Sequence, residues 1–205
     1  MCALAKTQPD WAVGFADEVW WSREALPSLP TFAPAHHPVH LVERTVPDAD
    51  PDQKALACSG LYLRVGDQST PSADTLLLRF VQERPISGIS TQFLDWVSQQ
   101  VTQRGKRVLV LIWDNASWPV SKHVRAWIRQ HNQGVKSCGQ GVRILVCLLP
   151  IKRPWLNPIE PKWVHGKRAI VEPATLLSLD DIVQRVCAYF HQPLLPFLAV
   201  PNDHP

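Results

Sequence analysis

The stretch VLVLIWD, residues 108–114, joins six apolar residues, Val108 to Trp113, to a carboxylate, Asp114. An apolar run of this length after a basic turn predicts a strand that is buried on both faces, as at the centre of an α/β sheet. Ligand sites of such sheets gather at the carboxyl ends of the strands. Asp114 is therefore the first candidate site residue.

Short apolar or alternating segments on both sides of this strand predict further strands. They are rich in β-branched and aromatic residues and are bounded by Pro, Gly or Asp. The predicted strands are 11–21, 39–46, 55–65, 76–82 and 142–149. The first of them contains Asp17 and Glu18 within an otherwise apolar sequence.

Helical spacing of apolar residues predicts four helices between and after these strands. Their expected starts are a cap at Thr91, a start near Ser121, the turn Asn157-Pro158-Ile159-Glu160, and a cap at Ser178 for a helix running to His191. In the third helix we expect Asn157 at the N-cap and Glu160 at the third helical position. Together the elements predict one α/β domain over residues 1–192, a mixed sheet flanked by helices. The Pro-rich residues 193–205 are expected to form a loosely ordered tail.

Composition excludes several classes of protein. Hydrophobic residues make up 45% and charged residues 19% of the 205 residues, which fits a globular core. The chain has no apolar run of the roughly 20 residues that a membrane helix needs, and we expect no signal peptide. The five scattered cysteines form no Cys-x-x-Cys pair and predict neither a zinc ribbon nor a disulfide framework. A reducing, cytoplasmic setting is the simplest expectation.

Basic residues concentrate in one part of the chain. Residues 101–170 hold thirteen Lys or Arg and only two acids, Asp114 and Glu160. Such a region is typical of a polyanion-binding surface, because a Lys or Arg near a phosphate releases counterions. A solvated basic face is the alternative. The candidate nucleic-acid contacts are Lys122, Arg125, Arg129, Lys152, Arg153, Trp155, Lys162, Lys167 and Arg168.

Three acids stand where separate elements can bring them together. Nucleases that use two metal ions need carboxylates that converge from different elements. Asp17 lies in a predicted strand, Asp114 ends the central strand, and Glu160 begins a helix. Each has a simpler interpretation: an exposed edge-strand position, a strand-to-turn exit, and an acid favoured by the helix dipole.

Two motifs resemble a known family. The sequences DNASW (114–118) and LPIKRPWLNPIEPKW (149–163) are similar to the signature of mariner-related bacterial insertion-sequence transposases of the DDE superfamily. The Asp17-Glu18 pair resembles their first motif, and ACSGLYL (57–63) and TQFLDWV (91–97) resemble their second and third strands and first helix. The resemblance covers nearly the whole chain.

This resemblance implies an RNase H-like fold and a metal-dependent DNA transposase. Its implied catalytic and metal-binding triad is Asp17, Asp114 and Glu160, with two Mg²⁺ (or Mn²⁺) ions. The implied reaction is strand cleavage at transposon ends followed by strand transfer. The implied partners are double-stranded DNA, both transposon ends and target, and a second copy of the chain when active. No membrane is involved, and the expected location is the bacterial cytoplasm, in association with the nucleoid.

The chain departs from the family pattern at three points. Only sixteen residues precede Asp17, whereas the family places a helix-turn-helix region there, so we expect a truncated transposase. Pro119 stands where relatives usually have His. The spacing of 46 residues from Asp114 to Glu160 is longer than we expect for the family. An inactive remnant that binds DNA or a full-length relative is one alternative. A stand-alone RNase H-like nuclease is another.

Overall fold

The centre of the molecule is a five-stranded mixed sheet with the strand order β3-β2-β1-β4-β5. This computed structural model describes residues 8–23, 46–65, 74–82, 87–114, 121–150, 154–170 and 176–199. The strands are β1 (Trp11–Ser22), β2 (Ala55–Arg64), β3 (Thr75–Val81), β4 (Val108–Trp113) and β5 (Arg143–Leu148). β1 is antiparallel to β2 and parallel to β4, so the predicted mixed sheet is confirmed.

The apolar run that predicted a doubly buried strand forms β4, and every residue of it after Val108 is buried. It lies between β1 and β5 and is parallel to both. The predicted strand at 39–46 falls almost wholly outside the described residues, and Val46 itself is not in a strand.

Helices cover both faces of the sheet. They are α1 (Ser87–Gln103), α2 (Lys122–Cys138), α3 (Glu160–Ile170) and α4 (Leu179–Tyr189). Side chains of α1 and α2, including Phe93 and Ile128, pack against Ala16 and Trp113 on one face. Side chains of α3 and α4, including Trp163 and Ile182, pack against Trp21 on the other face. None of the helices in the described part of the chain is long and apolar enough to span a bilayer.

Two helix starts agree with the sequence, and the start of α1 does not. Ser121 caps α2 by accepting a hydrogen bond from Val124 N, and Ser178 forms a capping box with Asp181 at α4. Thr91 does not cap α1, which begins one turn earlier, at Ser87. The buried stripe of α1 already starts at Ile89, so the core favours the longer helix. The Thr91 hydroxyl donates to Gly88 O instead.

Residues 193–199, which the sequence assigns to a loose tail, lie along the β3 edge. Leu198 pairs with Val81, its N donates to Phe80 O at 2.8 Å, and its O accepts from Gln82 N at 2.9 Å. The Leu198 side chain is buried, and Phe197 packs on Phe80. These apolar contacts explain why this segment is held against the sheet, although its prolines predict a loose tail.

Arg23 ties the end of β1 to two other parts of the chain. Its Nε donates to Leu177 O, and its two Nη atoms donate to the Asp50 carboxylate at 2.9 and 2.8 Å. The Arg23 side chain is buried. Its bonds to Asp50 hold the segment before β2 against β1, and its bond to Leu177 does the same for the segment before α4.

Candidate active site

Asp17, in the middle of β1, and Asp114, directly after the end of β4, lie side by side. The β1–β4 register ends with Ala16 opposite Trp113, and the next residues of these parallel strands are Asp17 and Asp114. Asp17 is buried and Asp114 is half-buried. The expected neighbouring positions of the first two acids are therefore found.

Asp17 and Glu18 point to opposite faces of the sheet, because successive strand residues alternate. Asp17 shares its face with Val19 and Trp21, which pack against α3 and α4. Glu18 lies on the α1 face near Trp113. Burial raises the pKa of Glu18 to about 8, the charges of Asp17 and Asp114 add to the rise, and Trp113 opposes it.

Glu160 is the first residue of α3, and a buried asparagine fixes that helix start next to β1. The Asn157 Nδ2 donates to Ala16 O at 3.1 Å, one residue before Asp17. Its Oδ1 accepts from Ile159 N at 3.4 Å, within a turn that precedes the helix. The helix thus begins two residues later than predicted, with Glu160 as its first residue rather than its third. Asn157 caps the turn before the helix and also bonds β1.

Asp17 and Glu160 both lie close to neighbouring negative charge. Burial, then the charges of Glu160 and Asp114, raise the pKa of Asp17 to about 7. Burial and the Asp114 charge also raise the pKa of Glu160, which Lys167 partly counteracts. Strand β1, strand β4 and helix α3 therefore place these three acids near one another.

Trp163, one turn after Glu160, contacts the same site. Its Nε1 donates to Asp17 Oδ2 at 3.0 Å, and its indole is almost fully buried. From the sequence, Asn157 is predicted only as a helix cap, and Trp163 has no predicted role at the carboxylates. The spacing of Ile159, Trp163, Gly166 and Ile170, which marks one buried face of α3, is the signal that could have placed Trp163 against β1.

The basic residues do not form one surface. Lys122, Arg125 and Arg129 are exposed on α2, which covers one face of the sheet. Lys167 and Arg168 are exposed on α3, which covers the other. Lys162 is half-buried, with Nζ 4.3 Å from the Tyr62 ring centroid. Trp155 is 65% exposed in a short 3₁₀ turn before α3. Lys152 and Arg153 lie outside the described residues.

Solved structures of Mos1 mariner transposase share this architecture. The paired-end complex with the left transposon end matches with a TM-score of 0.60 and 14% identity, over 89% of this chain and 48% of the Mos1 chain. The complex with Mn matches with a TM-score of 0.57 and 14% identity, over 89% of this chain and 48% of the Mos1 chain. The Mos1 catalytic domain matches with a TM-score of 0.51 and 13% identity, over 89% of this chain and 70% of that domain. The fold is therefore RNase H-like, and the chain spans about half the length of the Mos1 chain in these complexes.

Sequence comparison assigns the chain to a family. No curated protein matches it. The sequence model of the DDE superfamily endonucleases matches residues 77–182, a range that includes Asp114 and Glu160 but not Asp17. Because that match covers more than half of the 205 residues, the chain belongs to the DDE superfamily endonuclease family.

Proposed function

We propose that this chain is the catalytic domain of a DNA transposase that cleaves strands at transposon ends and joins the freed end to target DNA. One observation carries the proposal: in a DDE endonuclease, Asp17, Asp114 and Glu160 lie near one another on three separate elements. Acids placed together in a partly buried site weaken a fold, so their arrangement favours a role in chemistry.

Asp17, Asp114 and Glu160 would hold two divalent ions. Their oxygens are the ligands that Mg²⁺ and Mn²⁺ prefer, and a cation would relieve the repulsion between them. Such ions would lower the pKa of the attacking water or hydroxyl and neutralise charge on the phosphate. Among the described residues, no three His, Cys, Asp or Glu side chains are close enough to surround one ion. We propose that the carboxylates draw closer together when a metal ion binds.

Double-stranded DNA is the proposed partner. The related Mos1 structures include one with a transposon end, one with Mn and one with Mg. In this chain α2 contains four Lys or Arg and no acid, and the exposed Trp155 precedes the helix of Glu160. A transposase acts on two transposon ends, and we propose a homodimer, with one active site for each end, as the active form.

The substitution Glu160→Gln tests the function. It keeps the size of the side chain and removes one carboxylate, so we expect Mg²⁺-dependent nicking of plasmid DNA to fall at least about a hundredfold, as when a transition-state contact is lost. DNA binding in a gel-shift titration is expected to stay within about twofold, because this change leaves the Lys and Arg residues in place.

Glu18→Gln is the matched control. It makes the same change one residue from Asp17 but on the opposite sheet face, at a carboxyl whose pKa of about 8 leaves it mostly protonated near neutral pH. This variant is expected to retain nicking. Equal nicking by wild type and Glu160→Gln would reject Glu160 as a ligand. The absence of any metal-dependent nicking by wild type would reject the proposed activity and favour a DNA-binding remnant.

A further inference from the structure

The Asp17 carboxylate accepts a hydrogen bond from an indole of the helices that cover the sheet. Trp163 Nε1 donates to Asp17 Oδ2 at 3.0 Å, across 146 residues of sequence. Trp163 is 2% exposed, so water does not compete for this hydrogen bond. An indole N–H is a donor only, and it can orient a carboxylate without carrying charge into the site.

A glycine makes the contact possible. Gly60 stands directly opposite Asp17 in the β1–β2 register. A Cβ built on Gly60 would lie 2.4 Å from Cζ2 and 2.5 Å from Cη2 of Trp163, and 3.3 Å from Ile159 Cδ1. A larger residue at position 60 would displace the indole. Gly60 therefore provides the space in which Trp163 reaches Asp17.

The rest of the Trp163 ring is held in a fixed orientation. It packs edge-on against Trp21 and Phe190, with ring centroids 6.2 and 5.6 Å apart. Asn157, by its hydrogen bond to Ala16 O, anchors the start of the same helix to β1. A donor mounted this rigidly can fix the rotation of the carboxylate that it contacts.

We propose that Trp163 is a positioning residue for the metal site: by binding Asp17 Oδ2 it fixes the carboxylate and leaves the other oxygen to a divalent cation. The inference rests on the proposed function, since it assumes that Asp17 is a ligand. It assigns Trp163 no contact with DNA or with the reacting atoms. Outer partners of metal ligands typically change metal affinity by about 10–100-fold when they are removed.

The variant Trp163→Phe removes the N–H and keeps an aromatic ring in the cluster. The measurement is the rise in Tm on titration with Mn²⁺, which needs neither DNA nor catalysis. We expect the apparent Mn²⁺ affinity to fall about tenfold or more. A residue that only filled the core would lower the Tm equally with and without Mn²⁺ and leave the affinity unchanged.

Phe80→Leu is the matched control. Phe80 belongs to the same core cluster and is 3% exposed, and its ring packs on Phe197. We expect this variant to lose stability but to keep the wild-type Mn²⁺ affinity. Equal affinity losses in Phe80→Leu and Trp163→Phe would overturn the inference, because packing would then be the cause.

A second pair of variants leaves the indole itself unchanged. Gly60→Ala should push Trp163 away from Asp17 and also weaken Mn²⁺ binding. Gly88→Ala, where an added Cβ would meet no atom within 4 Å, should leave Mn²⁺ binding unchanged. Wild-type Mn²⁺ affinity in both Trp163→Phe and Gly60→Ala would overturn the inference while leaving the proposed function intact. If wild type gives no Mn²⁺-dependent rise in Tm, the proposed metal site fails, and the inference fails with it.

Discussion

Asp17 is an acid in an unfavourable place. It is buried on the central strand, and the charges of Glu160 and Asp114 raise its pKa further, to about 7. In the unfolded chain an Asp has a pKa of about 3.9, so the folded protein holds this proton more tightly. Stability is unaffected by Asp17 below the unfolded value, falls as the pH rises through about 7, and stays reduced above that.

We therefore predict that Asp17→Asn stabilises the metal-free protein. The amide removes the charge, and its oxygen can still accept from Trp163 Nε1. The gain should be small near pH 4 and reach at least about 1 kcal/mol near pH 8, or about 2–4 °C in Tm. Thermal unfolding of both proteins with a chelator at the two pH values measures it. A lower Tm for the variant near pH 8 would contradict a repulsive cluster.

The sequence predicts the carboxylates but not their supports. Spacing and resemblance place Asp17, Asp114 and Glu160, because each follows from a local motif. The roles of Trp163 and Gly60 depend on a contact between α3, β1 and β2, and no local pattern carries that information. Trp163 also lies in a basic stretch, where a Trp can contact DNA, although burial in the core is the more frequent case.

At the scale of elements, α3 approaches its neighbours through a glycine. A Cβ on Gly166 would lie 2.7 Å from Phe190 Cζ and 3.1 Å from Trp21 Cη2. The helix that carries Glu160 can therefore lie close to both β1 and the end of α4. Glycine in a helix otherwise reduces stability by about 0.5–1 kcal/mol relative to alanine, so its presence here reflects packing.

We predict opposite effects for two Gly→Ala changes. Gly166→Ala should destabilise the protein by about 1–3 kcal/mol, as overpacking does. Gly134→Ala in α2, where a Cβ meets nothing within 4 Å, should stabilise it by about 0.5–1 kcal/mol. Urea unfolding midpoints at an unchanged m-value provide the comparison. A stabilising Gly166→Ala would mean that α3 can move away from Phe190 without loss.

Element types were easier to predict than element starts. The apolar runs of β4 and β5 and the Ser121 cap carry strong local signals, and the structure has them where the sequence places them. The start of α1 depends on Ile89 reaching the core, and the start of α3 depends on Asn157 bonding β1. Tertiary contacts decide both positions, so local capping rules miss the start of α1 by about one turn and that of α3 by two residues.

At the scale of the whole molecule, positive charge lies on both faces of the sheet. The α2 residues nearest the β4 end that carries Asp114 are Lys122 and Arg125, whereas Lys136 lies near the opposite end of that helix. Arg143 begins β5, also at the end far from Asp114. DNA held at the three carboxylates should therefore contact Lys122 and Arg125 but not Lys136 and Arg143.

We predict a difference in salt dependence between two double variants. Lys122→Gln with Arg125→Gln should weaken DNA binding and reduce the slope of log affinity against log salt by about 0.9 for each lost phosphate contact. Lys136→Gln with Arg143→Gln removes the same charge and should leave the slope near that of wild type. Gel-shift titrations at several salt concentrations distinguish them. Equal slopes for the two variants would place the DNA elsewhere.

The hydrogen bond between Asp17 and Trp163 also bears on when the chain could begin to cut DNA. It joins the first described strand to a helix 146 residues later, so a long loop must close before these two elements touch. Glu160 joins Asp17 only when α3 docks on the sheet, because Asn157 holds the start of that helix to β1. If the chain cuts DNA as proposed, a copy in which α3 has not docked lacks a complete site and should not cut DNA.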